Sequence, residues 1–278
     1  GYPLVSVEEL FARLEGPDAS SEHGIAFTLD DGYAEQVRVA GPIFAEFDCP
    51  ATVFLTTGFL DRALWQWWDR IEYVFETSRR RHVSTTLAGT TLEYRWESAG
   101  DRDRARDDFT ARCKRVRNEV KLDAIERLAS AADVELPAMP PERYAPMPWP
   151  EVRAWEARGM SFGPHTVTHP ILSQTSDAQS HAEIHGSWER LREMADRPTP
   201  VFCYPNGQPE DLGPREWKTI SQLGLRGALT TSMGHASASA FHAAPEKPFL
   251  VPRFPYPNDH RVAALFASGA ERIRQALG

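Results

Sequence analysis

Along this chain, short continuous apolar runs alternate with stretches whose apolar positions recur every three or four residues. The first pattern fits buried strands and the second amphipathic helices. Leu4 to Leu14 has the helical pattern, with Ser6 as N-cap and Glu9 placed to complete a capping box. A polar loop from Gly16 to Gly24 leads to an apolar run, Ile25 to Leu29. A helix is predicted from Ala34 to Phe47, with a kink at Gly41-Pro42, and then a second apolar run from Ala51 to Thr56. Strand, helix and strand in this order predict a βαβ unit and a parallel sheet.

Residues 61–145 break the rhythm. Leu64 to Arg80 reads as a helix carrying Trp65, Trp68, Ile71 and Phe75 on one side. Two β-branched runs, His82 to Leu87 and Thr90 to Trp96, flank Ala88-Gly89 as in a hairpin. Asp101 to Val120 interleaves acids and bases like a solvated helix, and Leu122 to Ala132 is another helix. We read 61–145 as an insertion in a single domain spanning 1–278. It is either a wall beside a site or outer padding. A proline-rich return, Pro137 to Pro150, restores the alternation: helix 150–158 stopped by Gly159, strand 160–163, helix 177–194, strand 201–204, helix 215–223, strand 226–230. An extended piece at Leu250 to Phe254 and a closing helix, 259–277, follow.

Composition narrows the function classes. A length of 278 residues with 41% hydrophobic and 25% charged positions suits one large α/β domain. A net charge of −8 argues against nucleic acid or an anionic membrane as partner. No apolar run approaches the ~20 residues of a membrane-spanning segment. Three scattered cysteines (Cys49, Cys113, Cys203) and no leader pattern at the start lead to an expectation of a cytoplasmic setting. Export after removal of a signal peptide is the alternative. Oligomeric state leaves no trace in the sequence.

Two stretches carry chemistry. The run Ile25–Leu29 ends in Asp30-Asp31-Gly32. Neighbouring strand residues face opposite ways, so two aspartates serving one site belong where a strand ends and turns. A helix N-cap is the plain alternative. The second stretch is His165-Thr166-Val167-Thr168-His169, again after a short apolar piece. Two histidines four apart can converge on one metal ion. Asp31, His165 and His169 together make three ligands with an open fourth position.

With these motifs the chain resembles the polysaccharide deacetylases, the NodB-homology carbohydrate esterases. Thr28-Leu29-Asp30-Asp31-Gly32 is similar to the family's T-F-D-D-G, and His165 to His169 to its H-[ST]-x-x-H. Phe202-Cys203-Tyr204-Pro205-Asn206-Gly207 is similar to the F-A-Y-P-x-G of one branch. The resemblance covers about 20–60 and 145–256. It implies an α/β fold, a distorted (β/α) barrel with the 61–145 stretch as a helical and hairpin insertion. It implies a metal-dependent hydrolase that removes N-acetyl groups from N-acetylhexosamine units of a bacterial glycan or its precursor. By this resemblance Asp30 is the general base and Asp31, His165 and His169 hold one divalent metal. The donor set suits zinc, with cobalt, nickel or iron as alternatives.

Further roles follow from the same resemblance. A backbone N–H at Asn206 would face the oxyanion, with Tyr204, Pro205 and Gly207 shaping that loop. Where many members have an arginine paired with the base, this chain has Phe202 and Cys203, so Arg253 is expected to take over the pairing. The family's late histidine acid has no clear counterpart; His235 or His242, in the loop after a strand, could supply it, with His235 preferred. Tyr33 is expected to line the pocket. Trp67 or Trp68 could stack on a sugar, although tryptophans at helical spacing more often belong to a core. Three rival readings stand: an O-acetyl esterase, a cyclic-amide hydrolase similar to allantoinase, and a catalytically silent glycan-binding domain.

Overall fold

The computed structural model describes residues 2–16 and 23–268. Helix α1 (Val7–Glu15) is capped by the Ser6 hydroxyl, which accepts from the Glu9 N–H at 3.0 Å. The expected capping box is only half made, because the Glu9 carboxylate turns to Arg13 instead. Most of the loop expected at 16–24 lies outside the described residues. Strand β1 (Phe27–Asp31) starts later than expected and runs through both aspartates. Helix α2 (Ala34–Glu46) keeps Pro42 inside it, and Gly41 sits where a Cβ would lie 2.6 Å from the Trp155 ring. Strand β2 (Ala51–Leu55) is buried on both faces, as a strand covered by helices outside and a barrel interior inside must be.

After a single turn, α3 (Thr57–Leu60), the insertion begins. Helix α4 (Trp67–Thr77) starts three residues later than the pattern suggested. Trp65 therefore belongs to the main core rather than to that helix. The hairpin β3 (His82–Leu87) and β4 (Thr90–Arg95) turns on Ala88 and Gly89, both at positive φ, as a two-residue turn demands. The charged stretch expected as one helix to Val120 is broken. Helix α5 (Ala99–Cys113) ends early, and α6 (Asn118–Ala131) follows a four-residue turn. Both helices are amphipathic, not merely solvated. Ala105, Phe109 and Cys113 of α5, with Ala124, Ile125 and Leu128 of α6, close a core of their own over the hairpin and α4.

The main body resumes with α7 (Trp149–Glu156), β5 (Ser161–Pro164), α8 (Asp177–Met194), β6 (Val201–Cys203), α9 (Pro214–Gln222) and β7 (Gly227–Leu229). A single turn, α10 (Ala238–Phe241), and α11 (His260–Ser268) are the last elements among the described residues. The rest of the closing helix expected to 277 lies outside the described residues. Strands β1, β2 and β5 form a parallel sheet, and β6 and β7 a second parallel pair. Isolated parallel bridges, Phe162 with Pro198 and Leu229 with Val251, carry the wall from one piece to the next. The result is a distorted (β/α) barrel. Its interior holds Phe54, Val201, Cys203, Leu229 and Val251, and Val7 and Phe11 of α1 join that cluster. Outside, Val53, Leu55, Phe162 and Phe202 meet the helices. No helix among the described residues is long and apolar enough to cross a membrane.

Phe54 is fully buried at the centre of the interior cluster. Phe54→Ala should lower unfolding stability by about 3–5 kcal/mol, read as a drop in the urea midpoint with little change in slope.

Candidate active site

The sequence motifs meet at the C-terminal ends of the strands, where barrel enzymes place their chemistry. Asp30 and Asp31 end β1. The turn is made by positive φ at Asp31 (75°) and Gly32 (92°). A Cβ on Gly32 would lie 2.8 Å from both Leu55 and Leu60, so no other residue fits without displacement. His165 follows β5, and Asn206 follows β6. Thr166 (66°), His169 (55°) and Asn206 (57°) also have positive φ. Backbone strain of this kind concentrates where surrounding structure fixes a functional geometry.

Asp31, His165 and His169 converge. The Nε2 atoms of His165 and His169 lie 3.6 and 3.3 Å from Asp31 Oδ1. That oxygen is buried and has no hydrogen-bond partner. His165 is oriented by its other nitrogen, which donates to the Cys203 carbonyl at 2.6 Å and frees Nε2 for the cluster. The loop between the histidines is pinned by Glu183 of α8. Its carboxylate accepts from the N–H groups of Val167 (2.9 Å) and Thr168 (2.8 Å) and from the Thr168 hydroxyl (2.5 Å). Burial drives both histidine pKa values below the ordinary range, keeping the imidazoles neutral. Burial and the Asp30 and Asp69 carboxylates push that of Asp31 well up. Neutral imidazoles beside a buried carboxylate oxygen with no hydrogen-bond donor fit a bound divalent cation. Cys203, with Asp30 and His165, is a second possible group. It is poorer, because burial raises the thiol pKa and Asp30 is engaged elsewhere.

Asp30 faces Arg253. The guanidinium donates from Nη1 to Oδ1 at 2.9 Å and from Nη2 to Oδ2, from Nη1 also to Thr28 Oγ1 at 3.0 Å, and from Nε to the Thr230 carbonyl at 3.1 Å. Burial opposes ionisation of Asp30, but the charge and hydrogen bonds of Arg253 outweigh it and bring the pKa to about 2. Asp30 is therefore a carboxylate next to the cluster.

A cavity of about 400 Å³ opens over these groups, lined by Asp30, Asp31, His165, His169, Asn206 and Thr231 on the barrel side. The insertion supplies Trp67, Trp68, Thr110 and Lys114. Trp68 packs edge-on against His169 with ring centroids 4.6 Å apart, and Trp67 packs against Trp68. Behind them Lys121 is buried, its Nζ 4.5 Å from the centre of the Trp67 ring, and burial draws its pKa down to about 8. The insertion is thus a wall of the cavity, not padding.

Several expected site residues lie elsewhere. Tyr33 does not line the cavity: its hydroxyl donates to the buried Asp69 at 2.6 Å and its ring packs against Phe59. Burial lifts the Asp69 pKa to about 7. Tyr204 is buried against Phe202, and Pro205 and Gly207 are buried too, so of that loop only Asn206 reaches the cavity. Gly207 has φ 70°, and a Cβ there would be 3.0 Å from the Thr231 nitrogen. The Asn206 N–H donates to no acceptor among the described residues. His235 is also displaced. It packs on Phe254 and its Nε2 lies 3.1 Å from the Phe266 carbonyl, so α11 and the 250–254 segment hold it away from the cavity. Glu183, Thr110 and Lys114 went unnoticed in the sequence. No local motif marks them, since Glu183 reaches the site from α8 and Thr110 and Lys114 from the end of α5.

Comparisons with known proteins find relatives of this fold. Residues 125–228 match the family profile described as Polysaccharide deacetylase. Among solved structures, the chain is similar to the Streptococcus pyogenes deacetylase PplD, at 20% identity and a TM-score of 0.55, covering 93% of this chain and 76% of that one. It is also similar to IcaB from Ammonifex degensii (15%, TM-score 0.53, 96% and 83% covered) and to the BpsB deacetylase domain from Bordetella bronchiseptica (14%, TM-score 0.52, 91% and 79%). No curated protein matches. The profile match covers 125–228, and the likeness to these deacetylase structures is one of fold.

The Glu183 clamp yields a test. Glu183→Ala should release the 166–169 loop and weaken divalent-metal affinity by roughly 10–100-fold, read by competition with a chromogenic chelator.

Proposed function

We propose that this chain is a metal-dependent hydrolase that removes N-acetyl groups from N-acetylhexosamine units of a bacterial glycan or glycan precursor. The observation that carries this reading is the pairing of two adjacent aspartates with different surroundings. Asp31 Oδ1 meets two neutral imidazoles, while Asp30 is held ionised by Arg253. Asp31, His165 and His169 would hold one divalent cation, zinc in the first instance, with cobalt, nickel or iron as substitutes. When bound, such a cation supplies Lewis acidity toward the acetyl carbonyl and makes water more acidic.

The chain's own residues do the rest. Asp30, with its charge fixed by Arg253, accepts the proton of the attacking water. Arg253 keeps that carboxylate oriented. The Asn206 N–H faces the developing oxyanion. Trp68, half-buried on the cavity wall, offers an aromatic face to the sugar ring. Among the described residues no histidine outside the ligand pair lines the cavity, so His235 is withdrawn as proton donor to the leaving amine.

The experiment is acetate release from N-acetylated and O-acetylated sugars, before chelation, after it, and after metal is restored. Acetate from N-acetyl substrates that vanishes with the chelator and returns with zinc or cobalt supports the reading. Release from O-acetyl substrates alone turns it to an esterase. No acetate with one ion bound turns it to a cyclic-amide substrate or a silent binding domain. Asp30→Asn should lower kcat by at least about 10²-fold while metal content stays near one ion per chain; His169→Ala should lose both. Substantial turnover by Asp30→Asn would remove Asp30 as the base.

A further inference from the structure

The chain has only four lysines, Lys114, Lys121, Lys218 and Lys247. Two of them stand at the cavity wall that the insertion builds. Lys121 is committed, buried over the Trp67 ring. Lys114 is not. It is the first residue after α5, exposed, and it lines the cavity together with Thr110 one turn earlier. Among the described residues it has no ion pair and no side-chain hydrogen bond. Asp211 is the carboxylate on which its charge acts, from beyond salt-bridge distance. The other acids of α5 are taken: Asp101 by Arg104, Asp103 and Asp107 by Arg106, and Asp108 by Arg112.

The local charge is unusual for this protein. Residues 112–117 carry Arg112, Lys114, Arg115 and Arg117 and no acid, in a chain of net charge −8. This turn is where α5 stops short of the helix that the sequence pattern predicts, and that stop brings Lys114 to the cavity. The carboxylates across the cavity already have partners. Asp30 is held by Arg253, and Asp31 belongs to the histidine cluster. A lysine lining a cavity whose carboxylates Asp30 and Asp31 already have partners is suited to an anion that arrives with the ligand. A helix C-terminus also favours a cation, but that does not require its side chain to line the cavity.

We infer that Lys114 is a specificity-determining residue for anionic substrates. In that case the acetylated sugar this cavity takes carries a phosphate or carboxylate group beside the ring that bears the acetamide. The inference rests on the deacetylase reading for the sugar, and on Lys114 for the charge. Lys114 binds; it takes no part in the hydrolytic step.

The test reads binding rather than turnover, using the fluorescence of Trp67 and Trp68 in the metal-loaded chain. Three probes are titrated: N-acetylglucosamine, N-acetylglucosamine 1-phosphate, and an N-acetylglucosamine disaccharide carrying glucuronate. At least one anionic probe should bind on the order of tenfold more tightly than the neutral sugar, with the difference shrinking as salt is raised. Which anionic probe it is separates phosphate from carboxylate. Lys114→Met should abolish the preference and Lys114→Arg should keep it, both variants having first been shown to melt like the parent. Equal binding of all three probes, or a preference that survives Lys114→Met, overturns the inference. Anionic preference without acetate release would leave the inference standing and remove the deacetylase reading. Acetate release without anionic preference would do the reverse.

Discussion

The ion pair between Arg253 and Asp30 joins the two ends of the barrel wall. Arg253 comes from the extended segment after the Val251 bridge and Asp30 from the first strand, 223 positions earlier in the chain. No backbone ladder joins these segments among the described residues. The guanidinium links them instead, bonding Thr28, Asp30 and the Thr230 carbonyl together. One planar, permanently charged group with several fixed donors can do this; a lysine could not reach the same set. The contact that spans the wall also fixes the charge of Asp30, so fold and chemistry depend on a single side chain.

The rest of the site follows from a division of labour between adjacent carboxylates. Asp30 has a guanidinium and stays ionised. Asp31 has two neutral imidazoles and two nearby negative charges. That difference comes from the β1 turn, where positive φ at Asp31 and Gly32 sends the second carboxylate toward the histidines. His165 is aimed by a backbone carbonyl and the His169 loop by Glu183, so the ligands are set by groups on other elements. The insertion contributes through packing. Trp68 rests on His169, Trp67 on Trp68, and Lys121 on Trp67, so a core outside the barrel supports the cavity wall.

Sequence pattern located most strands of the barrel, because strands buried on both faces read as uninterrupted apolar runs. It also located the hairpin, since Ala88-Gly89 between two β-branched runs leaves little choice of turn. It misjudged α5, whose many charges hide a narrow buried stripe of Ala105, Phe109 and Cys113. A charged helix with one apolar residue per turn looks solvated until another core is brought against it. Tyr33 and Tyr204 look like pocket residues because they adjoin motif residues. Adjacency along a chain does not set side-chain direction, and both rings turn into the packed core.

The sequence by itself determined the pieces of chemistry: two aspartates at a strand end, two histidines four apart, and a glycine after Asn206. Short motifs hold these because their geometry is local, fixed by a turn and a few backbone angles. The pairing of Arg253 with Asp30 was an expectation from the family resemblance. Only the tertiary structure decided that Glu183 clamps the histidine loop, that His235 is drawn off toward α11, and that the insertion places Lys114 and two tryptophans over the site. These pairings join residues tens to hundreds of positions apart, and packing of one element on another, rather than spacing along the chain, brings them together.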